Sequence, residues 1–467
     1  MGAGVSDWKL ANAVASTGQL GVISGTALDA ILIRRLQLGD PGGHIRRAMA
    51  AFPIPGIIER ILERYFIEGG KAPDAKFAVH PKHKLPLTRF TENLLVVGNF
   101  VEVFLAKEGH SNPVGVNFLE KIQIPHLPSI YGAMLAGIDY VLMGAGIPRA
   151  IPGILDRLAA GQPVEYKIDH KGATDAGDPM SRFDPAEFVD GELPPVRRPS
   201  FLAIVASHVL ATMFVRKVES RVDGFVIEYP TAGGHNAPPR GRTVIDEAGE
   251  PVYGEKDEPD LEVFRELGLP FWMAGSYGEP EQLQWALAQG ATGVQVGTAF
   301  AYCEESGFDS DVKREVLGLS AEGEARVFTD PVASPTGFPF KVVELSDTLS
   351  SPVLYEERTR ICDLGYLRTA YEKEDGSTGW RCPSEPVKDY LRKGGDIADT
   401  VGRKCLCNAL MSNIGLGQVT KEGGVEGTLV TSGDDVANVA RFLAPGETTY
   451  RAADVIRYLL KDDPVTS

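Results

Sequence analysis

Only five of the 467 residues are cysteine, and four of those (Cys362, Cys382, Cys405 and Cys407) fall in the C-terminal part. So few thiols in so long a chain do not build a disulfide framework, and a reduced, cytoplasmic protein is expected. The spacing of the four late cysteines leaves a zinc site open, although Cys-Leu-Cys is not the usual close pair; buried thiols that pack as small hydrophobes are the preferred reading, and no metal ligand is assigned. Long apolar runs are also lacking. The longest, FLAIVASHVLATMF from Phe201, is too short to span a bilayer and carries His208. The N-terminus has neither a basic region nor a long apolar stretch, so no signal peptide is expected. Positive charge is scarce: 47 Lys and Arg against 63 Asp and Glu give a net charge of -16. That argues against a broad nucleic-acid or anionic-membrane surface, though not against a local phosphate pocket.

What the chain does have is a rhythm. Short apolar runs alternate with amphipathic helical patterns: GVISG at Gly21, PVGVNFL at Pro113, IDYVLMGAG at Ile138, SFLAIVAS at Ser200, DGFVIEY at Asp223, LPFWMAGSYG at Leu269 and TGVQVGTAF at Thr292. Fully apolar strands separated by helices indicate parallel strands covered on both faces. The fold expected is an α/β (β/α)8 TIM barrel with loop insertions and a C-terminal helical accessory region. Seven strands come from the rhythm, and an eighth is expected ahead of MGAGVS. An open doubly wound sheet is disfavoured because no Gly-x-Gly-x-x-Gly turn follows an early strand. The barrel is placed at 1–330, with insertions at about 51–91, 163–199 and 236–259. Residues 331–467 are expected to be mostly helical and to lie over the barrel mouth.

Two strand ends carry the strongest chemical signal. MAGSYGEP places Gly275 and Ser276, and VQVGTAF places Gln295, Gly297 and Thr298, just past buried strands. Glycines allow close backbone approach and the hydroxyls donate, so the two adjacent ends suit a phosphate; each alone would pass for an ordinary tight turn. In VGVNFL, Asn117 can hydrogen-bond a flat heteroaromatic ring or cap its own turn. Gly144 in LMGAGIP, and Gly2 and Ala3, supply backbone against which a ring can lie. His235, after Gly233 and Gly234, is the candidate proton-transfer residue, or simply a hydrogen-bonded loop histidine.

The segments GQLGVISG, VGVNFL, AGGH, MAGSYGEP and VQVGTAF, in that order, resemble the nitronate monooxygenase family, a set of FMN-containing TIM barrels. The same motifs are similar to flavin-dependent enoyl-acyl-carrier-protein reductases and to the enoyl reductase subunits of polyunsaturated fatty acid and polyketide synthases. SPTGFPFKV and GRKCLCNALMSNIGLGQ look like that longer, synthase-associated branch. The resemblance implies FMN as cofactor, with His235 as the catalytic residue. It implies cofactor contacts at Met1, Gly2, Ala3, Asn117, Gly144, Gly233, Gly234, Gly275, Ser276, Gln295, Gly297 and Thr298. The activity it implies is oxidation of alkyl nitronates with O2 to carbonyl compounds. The alternatives are an NAD(P)H- and FMN-dependent enoyl reductase and a non-catalytic flavin- or carrier-binding subunit. Small-molecule substrates are expected, with an acyl carrier protein as a further partner if HIRRAM and HPKHKLPLTR form a basic patch.

Overall fold

A computed structural model describes residues 2–171, 178–218 and 220–460. Each of the seven apolar runs is a strand: β1 (Gly21–Ser24), β2 (Val114–Leu119), β3 (Tyr140–Gly144), β4 (Ser200–Val205), β5 (Gly224–Glu228), β6 (Phe271–Ala274) and β7 (Gly293–Gln295). All pairings in this sheet are parallel and follow chain order, from β1 to β7. Helices lie between the strands, such as Arg89–Ala106 before β2, His126–Leu135 before β3 and Pro280–Ala288 before β7. This is the α/β barrel architecture, with seven strands among the described residues. β1 and β7 are each paired on one side only, which leaves a seam between them.

The strands are apolar on both faces because each has two layers to satisfy. Inward, Leu142, Leu202, Val226 and Ala274 form a small cluster with Val22, Ile204 and Trp272. Outward, Ile23, Val116, Val141 and Phe201 join the main core beneath the helices.

The three insertions do different things. The first contributes the helix Ile58–Tyr65 and a return segment that buries His80 and His83. The second follows the helix Ile151–Ala159 and forms an antiparallel pair, Val164–Lys167 with Met180–Phe183; its residues 172–177 lie outside the described residues. The third lies between β5 and the helix Leu261–Glu266. Beyond residue 330 the chain is less helical than the sequence pattern suggested. It holds the helices Pro352–Glu357, Leu406–Ser412 and Ala452–Leu459, but also Phe340–Val343, which pairs back onto Val327–Asp330. Thr369–Glu372 likewise pairs with Thr378–Arg381 and with His170–Lys171. A second core joins Val5, Leu10, Ala299 and Phe308 to Val343, Val430, Val439 and Val455. The late region and the barrel therefore share one hydrophobic interior across residue 330.

Among the described residues, no helix is long and apolar enough to cross a membrane.

Candidate active site

The C-terminal ends of the strands open on a cavity of about 500 Å³. Its wall includes Gly2, Asn117, Gly233, Gly234, Gly275, Ser276, Gln295, Gly297 and Thr298, so three strand-end loops and an asparagine far apart in sequence meet at one space. The cavity continues into the seam, where Leu20 and Val22 face Thr292 and Val294.

Not every expected residue reaches it. Ala3 is buried away from the wall. Gly144 packs inside the barrel, where an added Cβ would stand 2.7 Å from Ile204 Cβ. Met1 lies outside the described residues. His235 is placed differently from the two glycines before it. Its neighbours Gly233 and Gly234 line the cavity, but the imidazole does not. Nε2 shares a hydrogen bond with Ser334 Oγ at 2.7 Å, and the ring meets Phe340 edge-on at 4.8 Å. The backbone explains the orientation: Lys341 N–H donates to Gly234 O and Asn236 N–H to Pro339 O, which docks this loop on the strand Phe340–Val343. Burial lowers the imidazole pKa to about 3, so His235 is neutral.

Two carboxylates line the wall: Asp435, which is paired with Arg441, and Glu228, the last residue of β5. Burial pushes the Glu228 carboxyl up to about 7, where it can take or return a proton near neutral pH. An acidic residue closing an otherwise apolar strand was the sequence signal for it. The second feature outside the sequence reading is the segment Thr431, Ser432, Gly433 and Asp435, which completes the wall. Gly433 N–H donates to Thr298 Oγ1 (3.0 Å), Gly234 N–H to Thr431 Oγ1 (3.1 Å) and Asp434 N–H to Thr231 O (3.1 Å). Arg441 holds the neighbouring loop through Gly278 O at 2.9 Å and Glu279 at 2.9 Å, while pairing with Asp435 at 2.8 Å.

The donor set suits a phosphorylated, flat cofactor. Ser276 has φ +56, and its buried Oγ has no hydrogen-bond partner, an arrangement that costs free energy unless a ligand completes it. At Gly297 nothing lies within 4 Å of an added Cβ, so the missing side chain leaves cavity space. The wall has no lysine or arginine among the described residues, which leaves hydroxyls and backbone N–H groups to receive a phosphate. In the HPKHK motif Lys82 and Lys84 are exposed, but the histidines are not. His80 and His83 point inward, and each Nε2 meets Asp29 Oδ2 at 2.8 Å.

In backbone the chain is similar to the FabK of Thermotoga maritima (14% identity, 98% of this chain and 88% of that chain, TM-score 0.47). It is also similar to a nitroalkane oxidase from Streptomyces ansochromogenes (16%, 99% and 93%, TM-score 0.45). A third likeness is to the enoyl reductase domain of MlnA from the macrolactin biosynthesis cluster of Bacillus amyloliquefaciens (12%, 81% and 86%, TM-score 0.41). No curated protein matches in sequence. Residues 194–335 match the family model described as Nitronate monooxygenase. That segment, less than half of the chain, carries β4 to β7 and several of the loops that wall the cavity, and over it the chain is similar to the nitronate monooxygenases.

Proposed function

We propose that the cavity holds FMN and that the protein oxidises alkyl nitronates with O2 to carbonyl compounds. The observation that carries this reading is the meeting of Gly233–Gly234, Gly275–Ser276 and Gln295–Thr298 at one cavity, within the segment that matches the nitronate monooxygenase model. Ser276, Gly297 and Thr298 hold the phosphoryl end, and the amides of Asn117 and Gln295 hydrogen-bond the ring. FMN, when bound, supplies the electron transfer. The chain supplies position, dryness and a proton. Leu142, Leu202, Ile204, Val226 and Trp272 form an apolar floor that excludes water. Glu228 takes a proton from a neutral nitroalkane or holds one beside the nitro group, a role worth roughly 10²–10⁴ in rate. His235, neutral and tied to Ser334, positions the Gly233–Gly234 loop.

One observation favours a second reading. Leu283, Leu287, Ile456, Leu459 and Leu460 extend the wall as an apolar arm, which suits an acyl chain and thus an NAD(P)H-dependent enoyl reductase. Anaerobic titration of the FMN-loaded protein separates the two. Bleaching of the flavin by a propyl nitronate, with indifference to NADPH, is the expected result. Bleaching by NADPH alone would transfer the assignment to the reductase, and bleaching by neither would rule out both.

A further inference from the structure

The histidines of HPKHK, which take no part in the cavity wall, converge with Asp29 in the interior. Asp29 stands in the first turn of the helix Leu28–Gln37, and His80 and His83 come from the first insertion. Tyr366 joins them from the loop ahead of the strand Thr369–Glu372. Each imidazole Nε2 lies 2.8 Å from Asp29 Oδ2, while Tyr366 Oη lies 2.6 Å from Oδ1 and 3.3 Å from His80 Nε2. The three rings have centroids 5.1 to 5.6 Å apart. Among the described residues this is the one group of three or more His, Cys, Asp or Glu side chains whose ligand atoms all come within 4.8 Å of one another. The four late cysteines line a small void together but form no such group.

The charge of this cluster does not balance on its own. Asp29, His80 and His83 are each 3% exposed or less. Among the described residues Asp29 forms ion pairs with these two imidazoles alone, and burial lowers the pKa of His83. The bare cluster must therefore keep either a carboxylate with no full positive charge beside it or an imidazolium that burial disfavours. Both are costly in a protein interior. A divalent cation supplies the missing charge. Each neutral imidazole then turns the Nε2 lone pair to the ion and carries its proton on Nδ1, so the ring's own charge is unchanged. His80 Nδ1 is buried without a partner whichever tautomer is present, so it favours neither state. Beside the carboxylate lies a void of about 20 Å³, lined by Asp29 and Tyr366, with room for one water.

From this juxtaposition of Asp29, His80, His83 and Tyr366 we infer a buried site for a divalent transition-metal ion, for which zinc is the best match. Imidazole nitrogen and carboxylate oxygen are both zinc donors, and the absence of a thiolate from the set turns it away from copper(I) and iron–sulfur chemistry. With bonds of about 2.0–2.1 Å, the ligand atoms of one tetrahedral ion stand roughly 3.3 Å apart. The spacings here, 2.8 Å from each imidazole to Oδ2 and at most 4.8 Å overall, are of that order. The fourth position falls to Tyr366 Oη or to a water in the adjoining void. None of the four residues lines the FMN cavity, so the ion holds structure: it ties the first helix layer, the first insertion and the late region together. Failure of this site would leave the flavin reading untouched.

The test is metal analysis of the full-length protein after native dialysis against a chelator, beside Asp29→Asn, His83→Asn and a control, Lys82→Ala. The control changes an exposed residue between the two histidines. About one zinc per chain is expected in the wild type and the control, because buried ligands hold the ion through dialysis, and less than about a tenth of that in the other two. Another divalent transition metal lost from the same two variants would keep the site and change only its occupant. If the variants do not fold, the wild type alone reads the same point. Urea titration with a metallochromic dye present should release about one equivalent of metal at the unfolding midpoint. A metal-free wild type that takes up none from zinc sulfate, metal kept in both variants, or release ahead of unfolding would overturn the site and leave a hydrogen-bonded cluster.

Discussion

Gly433 donates its backbone N–H to Thr298 Oγ1 over 3.0 Å, and an added Cβ on Gly433 would stand 2.8 Å from the Thr231 carbonyl oxygen. A segment 135 positions downstream of Thr298 is thereby pressed against two strand-end loops. The only residue that fits this contact has no side chain. Gly433→Ala should push the segment outward and break its bond to Thr298. FMN affinity is expected to fall about tenfold, the equivalent of ~1.4 kcal/mol. Fluorescence titration of FMN measures it, and an unchanged affinity would mean that the late segment does not shape the site.

Glu228 and His235 can be told apart by pH. With a carboxyl raised to about 7 by burial, Glu228 should give the rate profile a limb near that pH. Glu228→Gln should remove the limb and lower turnover by a factor of about 10². His235→Ala should keep the limb, since its imidazole, lowered to about 3 by burial, does not titrate there. Loss of the limb in His235→Ala and its survival in Glu228→Gln would return the proton to the histidine.

The same carboxyl bears on stability. The folded protein keeps a proton on Glu228 up to about pH 7, whereas the ordinary carboxyl releases it near 4.5. Stability therefore declines as pH rises from 4.5 to 7, and below 4.5 this group makes no difference. Denaturant midpoints across that range should slope less in Glu228→Gln. A residual slope is the sum of other buried groups: Glu102, which burial also raises to about 7, acts in the same direction, and His126 and His235, which burial lowers to about 4 and about 3, act in the opposite one. Identical slopes in variant and parent would show that Glu228 is not held protonated.

Asp29 is the hub of a buried network. It accepts from His80 and His83 at 2.8 Å each and from the Tyr366 hydroxyl at 2.6 Å, so it joins the first helix layer, the first insertion and the late region. Burial alone would raise its carboxyl, but the two imidazoles hold it well below the usual range. Asp29→Ala strands three donors and should cost about 3–5 kcal/mol of unfolding free energy. Urea unfolding reads it, and a loss under about 1 kcal/mol would contradict the hub.

The barrel was legible because its signal is local. Each apolar run, from GVIS at Gly21 to GVQ at Gly293, is bounded by helical patterning, and every one forms a strand in the expected order. Loop glycines such as Gly275 and Gly297 were visible for the same reason. What escaped has no local period. His80 and His83 read as part of a basic run until Asp29, some fifty residues earlier, is seen to bury them. The direction of the His235 ring is set by Ser334 and Phe340, about a hundred residues downstream. Glu228 lies in the quoted run DGFVIEY but was not singled out there, and nothing near Thr431–Gly433 marks that segment as cavity wall.

The measurement that bears most directly on the central claim is FMN retention by Gly297→Val beside the wild type. Gly297 has φ -117, which any residue adopts, and open space where a Cβ would go, so the variant should fold with unchanged stability. The valine would occupy the space assigned to the phosphoryl end. After dialysis the wild type should be yellow with about one FMN per chain, and the variant colourless with the same unfolding midpoint. A variant that keeps its FMN, or a wild type that takes none up, would contradict the account.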